Sequence, residues 1–109
     1  MKRFFLALLI LAFTTPQAAR ADVLVLVHGY LGTANSWTES GVVERLMRRG
    51  YRLVGDYAYG PAGVLFRPGP TTKTDRPIYT VDLPSQAPVV IQADWLAAFL
   101  RDIRKRHPD

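Results

Sequence analysis

The 109-residue sequence contains no cysteine. Disulfides, a cysteine-ligated zinc site, a thiol nucleophile and lipidation of an N-terminal cysteine are all excluded. Serine occurs only as Ser36, Ser40 and Ser85, and histidine only as His28 and His107. No apolar run reaches the ~18 residues that a membrane-spanning helix needs. No His/Asp/Glu cluster has metal-ligand spacing, and no carboxylate pair stands out for glycoside chemistry. Neither a metal nor any other cofactor is expected. Internal repeats and low-complexity tracts are absent as well.

What is there begins with Lys2 and Arg3, then an apolar run over residues 4–13 and the small-x-small triplet Ala19-Arg20-Ala21. These three parts, in this order, read as a secretory signal peptide over residues 1–21. A buried or anchoring N-terminal helix is the competing reading. The remainder, residues 22–109, suffices for one small domain at most. The formal charge of +5 shrinks once Lys2, Arg3 and Arg20 are set aside, because eleven basic residues then face nine acidic ones, a net +2. The high pI therefore gives no argument for a nucleic-acid partner. The basic residues fall mainly on two predicted helices, where solvated faces and helix ends account for them. An exported protein, periplasmic or secreted, with no stable membrane anchor after cleavage is the expectation.

Along the chain, Val23 to Val27 is a continuous apolar run of β-branched residues and Leu, read as a strand buried on both faces. It breaks into His28-Gly29-Tyr30-Leu31-Gly32. A Gly pair at a strand end allows a sharp turn and can leave successive N–H groups pointing outward. Ser36 and Glu39 have capping-box spacing, Ser40 is a second candidate N-cap, and Val42, Val43, Leu46 and Met47 recur at helical spacing up to Gly50. A helix over about 40–49 is predicted. Residues 51–59 look extended, residues 60–63 are a turn, and residues 64–66 form a short second extended piece. Three prolines and Gly69 make residues 67–77 an irregular loop, read as a surface excursion. Residues 78–83 alternate as a second strand. In the helix predicted over 89–106, Leu96, Phe99, Leu100 and Ile103 share one face. Trp95 and Phe99 read as core, Trp37 as a possible pocket wall, and His107 as a solvated residue in the last helical turn. This order implies an α/β fold with parallel strands, flanking helices and an incomplete sheet, the front part of a larger domain.

The stretch LVLVHGYLGTANSW resembles the oxyanion-loop segment of α/β-hydrolases, in particular secreted esterases and lipases with a strand-His-Gly-x-x-Gly pattern. IYTVDLPSQAP resembles the following strand with its Asp-Leu-Pro turn, and the helix over 89–106 lies where those enzymes approach the nucleophile strand. The resemblance covers nearly all of residues 22–109 and implies the N-terminal segment of an α/β-hydrolase domain. It implies that the backbone N–H of Tyr30, with that of Leu31 as a second donor, stabilises an acyl-transfer oxyanion. Gly29 and Gly32 would permit the turn, Leu31 would shape the acyl pocket, and His28 would hold the loop by hydrogen bonds. In the family's chain order the catalytic His comes last, so His28 does not fit the base. As a residue in its own right, His28 reads as a satisfied, partly buried histidine.

The pattern departs from the family at the nucleophile. No Gly-x-Ser-x-Gly occurs, so Ser36, Ser40 and Ser85 cannot sit in a nucleophile elbow, and the Ser-His-Asp triad is absent. The implied activity is carboxylic-ester or lipid hydrolysis through an acyl-enzyme, with a small-molecule ester or lipid as substrate once nucleophile, acid and base are supplied. The segment alone is expected to be inactive. Two alternatives stand beside this reading. One is a non-enzymatic secreted α/β binding module. The other is a nucleotide-binding module with Gly29-x-x-Gly32 as a phosphate turn, weakened by the lack of G-x-G-x-x-G.

Overall fold

The computed structural model describes residues 23–108. The signal peptide expected over residues 1–21 lies outside the described residues. The elements run β1 (Leu24–Val27), α1 (Ser36–Glu39), α2 (Val42–Met47), β2 (Arg52–Gly60), β3 (Gly63–Pro68), β4 (Pro77–Val81) and α3 (Val89–Arg106). The four strands form one mixed sheet in the order β1-β4-β2-β3. β4 pairs in parallel with both β1 and β2, and β2 pairs antiparallel with β3. The architecture is thus a small α/β fold. The antiparallel hairpin makes its sheet mixed rather than wholly parallel.

β4 is the central strand, and all five of its residues are buried. β1, read as a continuous apolar run, is instead an edge strand among the described residues. Leu24 to Leu26 are half-buried and Val27 is 40% exposed. The reason is that β1 pairs with β4 along one side only, so hydropathy overstated its burial. Pro77 opens β4 at its first residue, where a missing N–H is tolerated. One bulge interrupts β2 between Leu53 and Gly55, putting Val54 and Tyr57 on one face and Leu53 and Asp56 on the other.

Alternation along the strands divides the sheet into two faces. Val54, Tyr57, Tyr79 and Val81 pack with Phe99 and Ile103 of α3 to form the core. Trp95 joins this core, its ring centroid 4.5 Å from that of Tyr59. α3 follows its predicted span, but Leu100 is 38% exposed while Ala98 is buried, which rotates the buried stripe from its predicted position.

His107 is not a solvated last-turn residue. It caps α3, is half-buried, and lies 2.7 Å through Nε2 from the Tyr79 hydroxyl. Arg106 likewise lies over the Phe66 ring at 3.9 Å, and its Nε donates to Tyr57 Oη and Asp102 Oδ2. The Tyr57 hydroxyl donates to Asp102 Oδ2. That bond holds the Asp102 carboxyl below its ordinary value, against the opposing effect of burial. Burial and the Asp102 carboxylate push the Tyr57 phenol well above the usual tyrosine range.

The opposite face carries Leu24, Leu26, Ile78 and Thr80, with Ala34 and Val43 buried on the α1–α2 side. The helix expected over about 40–49 is present but shorter, as α2, and the separate four-residue α1 precedes it. Gly41 adopts φ +86° between them, a conformation that a helix interior cannot contain. The expected caps differ too. Ser36 Oγ accepts from Thr33 N–H, Ser40 Oγ donates to Trp37 O, and neither serves as an N-cap. β3 extends to Pro68, beyond the expected residues 64–66. The irregular residues after it are anchored: Gly69 N–H donates to Val54 O at 2.7 Å, and the Arg76 guanidinium stacks 4.1 Å from the Tyr51 ring centre.

Candidate oxyanion turn and adjoining groove

The strand-end turn is built around His28, which is 8% exposed. Leu83 N–H donates to its Nε2 at 2.9 Å, so the ring hydrogen resides on Nδ1, which donates to Gly29 O at 2.8 Å. One imidazole thus ties the end of β1 to the segment leaving β4. Both ring nitrogens are used, and neither is free to take a proton from a nucleophile.

Residues 29–32 form a β-turn closed by Gly32 N–H to Gly29 O at 2.9 Å. Leu31, the third residue, has φ +61°, and Tyr30 before it does not have a positive φ, which identifies a type II turn. That position favours Gly or Asn. A leucine held there stores about 1 kcal/mol of strain. Gly32 has a physical reason to lack a side chain, since a Cβ there would lie 3.0 Å from His28 Cβ and 3.1 Å from Gly29 O.

The side chains of Tyr30 and Leu31 are 74% and 63% exposed. Their amides differ in state. Tyr30 N–H makes no hydrogen bond among the described residues. Leu31 N–H donates to Ser85 Oγ at 3.0 Å, across 54 residues of sequence. Ser85 therefore meets the turn although it lies in a Pro-flanked segment. The pairing had no local signal, because it depends on β1 and β4 being neighbours.

Beside the turn lies an open groove of about 550 Å³, bordered by residues 33–35 and Thr38 on one side and by the end of β3 on the other. Its floor is the bulged backbone at Gly55 together with Thr80. Arg67 crosses it. Arg67 Nε donates to Asp56 Oδ1 at 2.8 Å, and Nη2 donates to Asp56 Oδ2 at 2.9 Å and to Asp82 Oδ2 at 2.7 Å. Asp82 Oδ1 accepts from Ala34 N–H. The bonds to Asp56 and then to Asp82 raise the Arg67 guanidinium above its ordinary value. This network was not predicted. Its only sequence trace is that Arg67 and Asp56 sit opposite each other once the hairpin register is known.

Trp37 does not border the groove; its indole Nε1 is buried without a partner among the described residues. The three serine hydroxyls lie apart in separate roles, at Thr33, at Trp37 and at Leu31. His107 is placed at the end of α3 against Tyr79, with no serine hydroxyl bonded to it. No family model, curated protein or solved structure matches the chain.

Proposed function

We propose that the chain is the N-terminal segment of an exported serine hydrolase of the α/β-hydrolase superfamily, acting on carboxylic esters or lipids, whose Gly29–Gly32 turn supplies the oxyanion donors. The observation that carries this reading is the Tyr30 amide. It has no partner among the described residues, and it is presented by a strained type II turn that follows the fully bonded His28 at the carboxyl end of a parallel strand. Donors that are pre-set in this way stabilise charge developing on a carbonyl oxygen without reorganising at the moment of reaction. Leu31 N–H is the second donor, and a substrate oxygen reaches it by displacing Ser85 Oγ. The nucleophile, acid and base come from outside residues 23–108. The free edge of β1 is consistent with a further strand beside it.

The reading is tested by titrating the ¹⁵N-labelled chain with ethyl methylphosphonate, a monoanion with the tetrahedral geometry of the intermediate. The Tyr30 amide resonance is expected to move most, with Leu31 next, and the chain alone is expected not to hydrolyse p-nitrophenyl butyrate above the buffer rate. Shifts confined to other segments would remove the proposal's basis.

A secreted binding module without catalysis is the second reading, favoured by the preorganised groove around Arg67. A phosphate-binding turn is disfavoured. The helix after Gly32 has only four residues, and the charged network nearest its start includes two carboxylates.

A further inference from the structure

We propose that the Ser85 hydroxyl is an internal plug on the oxyanion turn, an autoinhibitory contact that keeps the Leu31 amide covered until a ligand oxygen takes its place. The inference rests on the acyl-transfer reading and concerns the regulation of that same site.

The contact is made by a strap that is fixed along its length. Residues 82–88 lead from β4 to α3, and they are tied to the region of the turn at three points. Asp82 Oδ1 accepts from Ala34 N–H, Leu83 N–H donates to His28 Nε2, and Ser85 Oγ accepts from Leu31 N–H at 3.0 Å. The strap is held away from the turn as well. Asp82 N–H donates to Tyr57 O of β2 at 2.8 Å, and Ala87 N–H closes on Pro84 O at 2.8 Å. Gln92, in the first turn of α3, donates through Nε2 to Ala87 O at 3.0 Å and to Ser85 O at 3.5 Å. Pro84 and Pro88 restrict φ at two further positions. The half-buried Ser85 is thus delivered to the Leu31 amide by a segment with little freedom to carry it elsewhere.

The plug divides two neighbouring donors into different states. Tyr30 N–H has no partner among the described residues, whereas Leu31 N–H is already satisfied by a neutral oxygen at hydrogen-bond distance. That oxygen stands where an acceptor atom of a ligand has to stand to use the same amide. A hydrogen bond of this kind, exchanged against water, leaves the donor free roughly a tenth to a third of the time, and a ligand that uses both amides binds more weakly by the same factor. The factor does not depend on the charge of the incoming oxygen. The plug therefore sets how tightly the site binds and leaves its preference between neutral and anionic oxygens to the amides themselves.

The test is the ¹⁵N-edited titration of the full chain with ethyl methylphosphonate, run on the parent, Ser85→Ala and Ser85→Thr. Affinity is read from the Tyr30 amide, and hydrogen exchange at Leu31 is measured before ligand is added. Ser85→Ala is expected to bind about two- to tenfold tighter than the parent and to exchange faster at Leu31. Ser85→Thr keeps a hydroxyl and is expected to keep the parent's affinity. A serine that only supports the turn gives the opposite sign, since its loss weakens binding. Unchanged or weaker binding in Ser85→Ala, with Tyr30 still responding, would overturn the plug and leave the reading of the turn standing. Equal tightening in the threonine variant would overturn the plug too. The absence of any Tyr30 response in both the parent and Ser85→Ala would overturn the plug and the reading of the turn together.

Discussion

Replacing His28 by alanine removes a buried side chain that ties the end of β1 to the segment after β4. Leu83 N–H loses its acceptor in a half-buried place, which costs about 1–3 kcal/mol. Gly29 O loses one donor but still accepts from Gly32 N–H and lies in an exposed turn, so its share is about 0.5 kcal/mol. Lost packing of the buried ring adds about 1 kcal/mol. The total, about 2.5–4.5 kcal/mol, is a large part of the ~5–15 kcal/mol that holds small domains together. The Leu83 bond dominates, and this fixes an order among substitutions. His28→Gln restores an acceptor near the Nε2 position and is expected to recover more than His28→Asn, which reaches only the Nδ1 position. Urea denaturation followed by tryptophan fluorescence measures the loss, and hydrogen exchange at the Leu83 amide reports the bond itself. A His28→Ala chain within about 0.5 kcal/mol of the parent would refute the reasoning, since it matches what inert surface changes do. Better rescue by Asn than by Gln would refute it too.

Further expectations follow from the same contacts. Leu31→Gly relieves a positive φ and is expected to stabilise by up to about 0.5 kcal/mol, net of glycine's greater freedom when unfolded; a lowered melting temperature would contradict this. Gly55→Ala would place a Cβ 2.5 Å from Phe66 Cε1 and 2.6 Å from Arg67 O, and is expected to cost about 2–3 kcal/mol by urea melt. Asp102 has a folded-state value below its ordinary 3.8, so its contribution is present above that value and is lost as pH falls through the lowered one. Tyr57 behaves in the opposite sense. Its raised folded-state value gives stability that is full below the ordinary 10.0 and is lost as pH rises beyond it. Melting temperatures measured from about pH 2 to about pH 12 are expected to fall at both ends, and Tyr57→Phe is expected to flatten the alkaline limb.

Local patterns were the legible part of this fold. The helix over 89–106, the β2–β3 hairpin and the strand around Ile78 each announce themselves within a short window, through helical spacing, a Gly-Pro turn or alternation. The burial of β1 was misread because its hydropathy is the same whether one edge or both are paired. The helix over about 40–49 was legible from its apolar spacing, but Gly41 at φ +86° delays its start to Val42 and separates it from α1. The turn at Gly29–Gly32 was visible as a turn, but the state of its amides was not. Whether Leu31 N–H is free depends on Ser85, and the Arg67 network depends on hairpin register and on Asp82 leaving β4 beside Ala34. Those contacts are set by sheet order, which a single sequence does not encode locally.

The central claim is that the Tyr30 backbone N–H binds an oxyanion, and Tyr30→Pro tests it most directly. Proline is favoured at the second position of a type II turn and has no N–H, so the substitution deletes the donor while keeping the turn. The measurement is the ethyl methylphosphonate titration, read from the Leu31 and Gly32 amides in both chains. The account predicts that Tyr30→Pro melts like the parent and loses the phosphonate response. An equal response in the proline variant would contradict it.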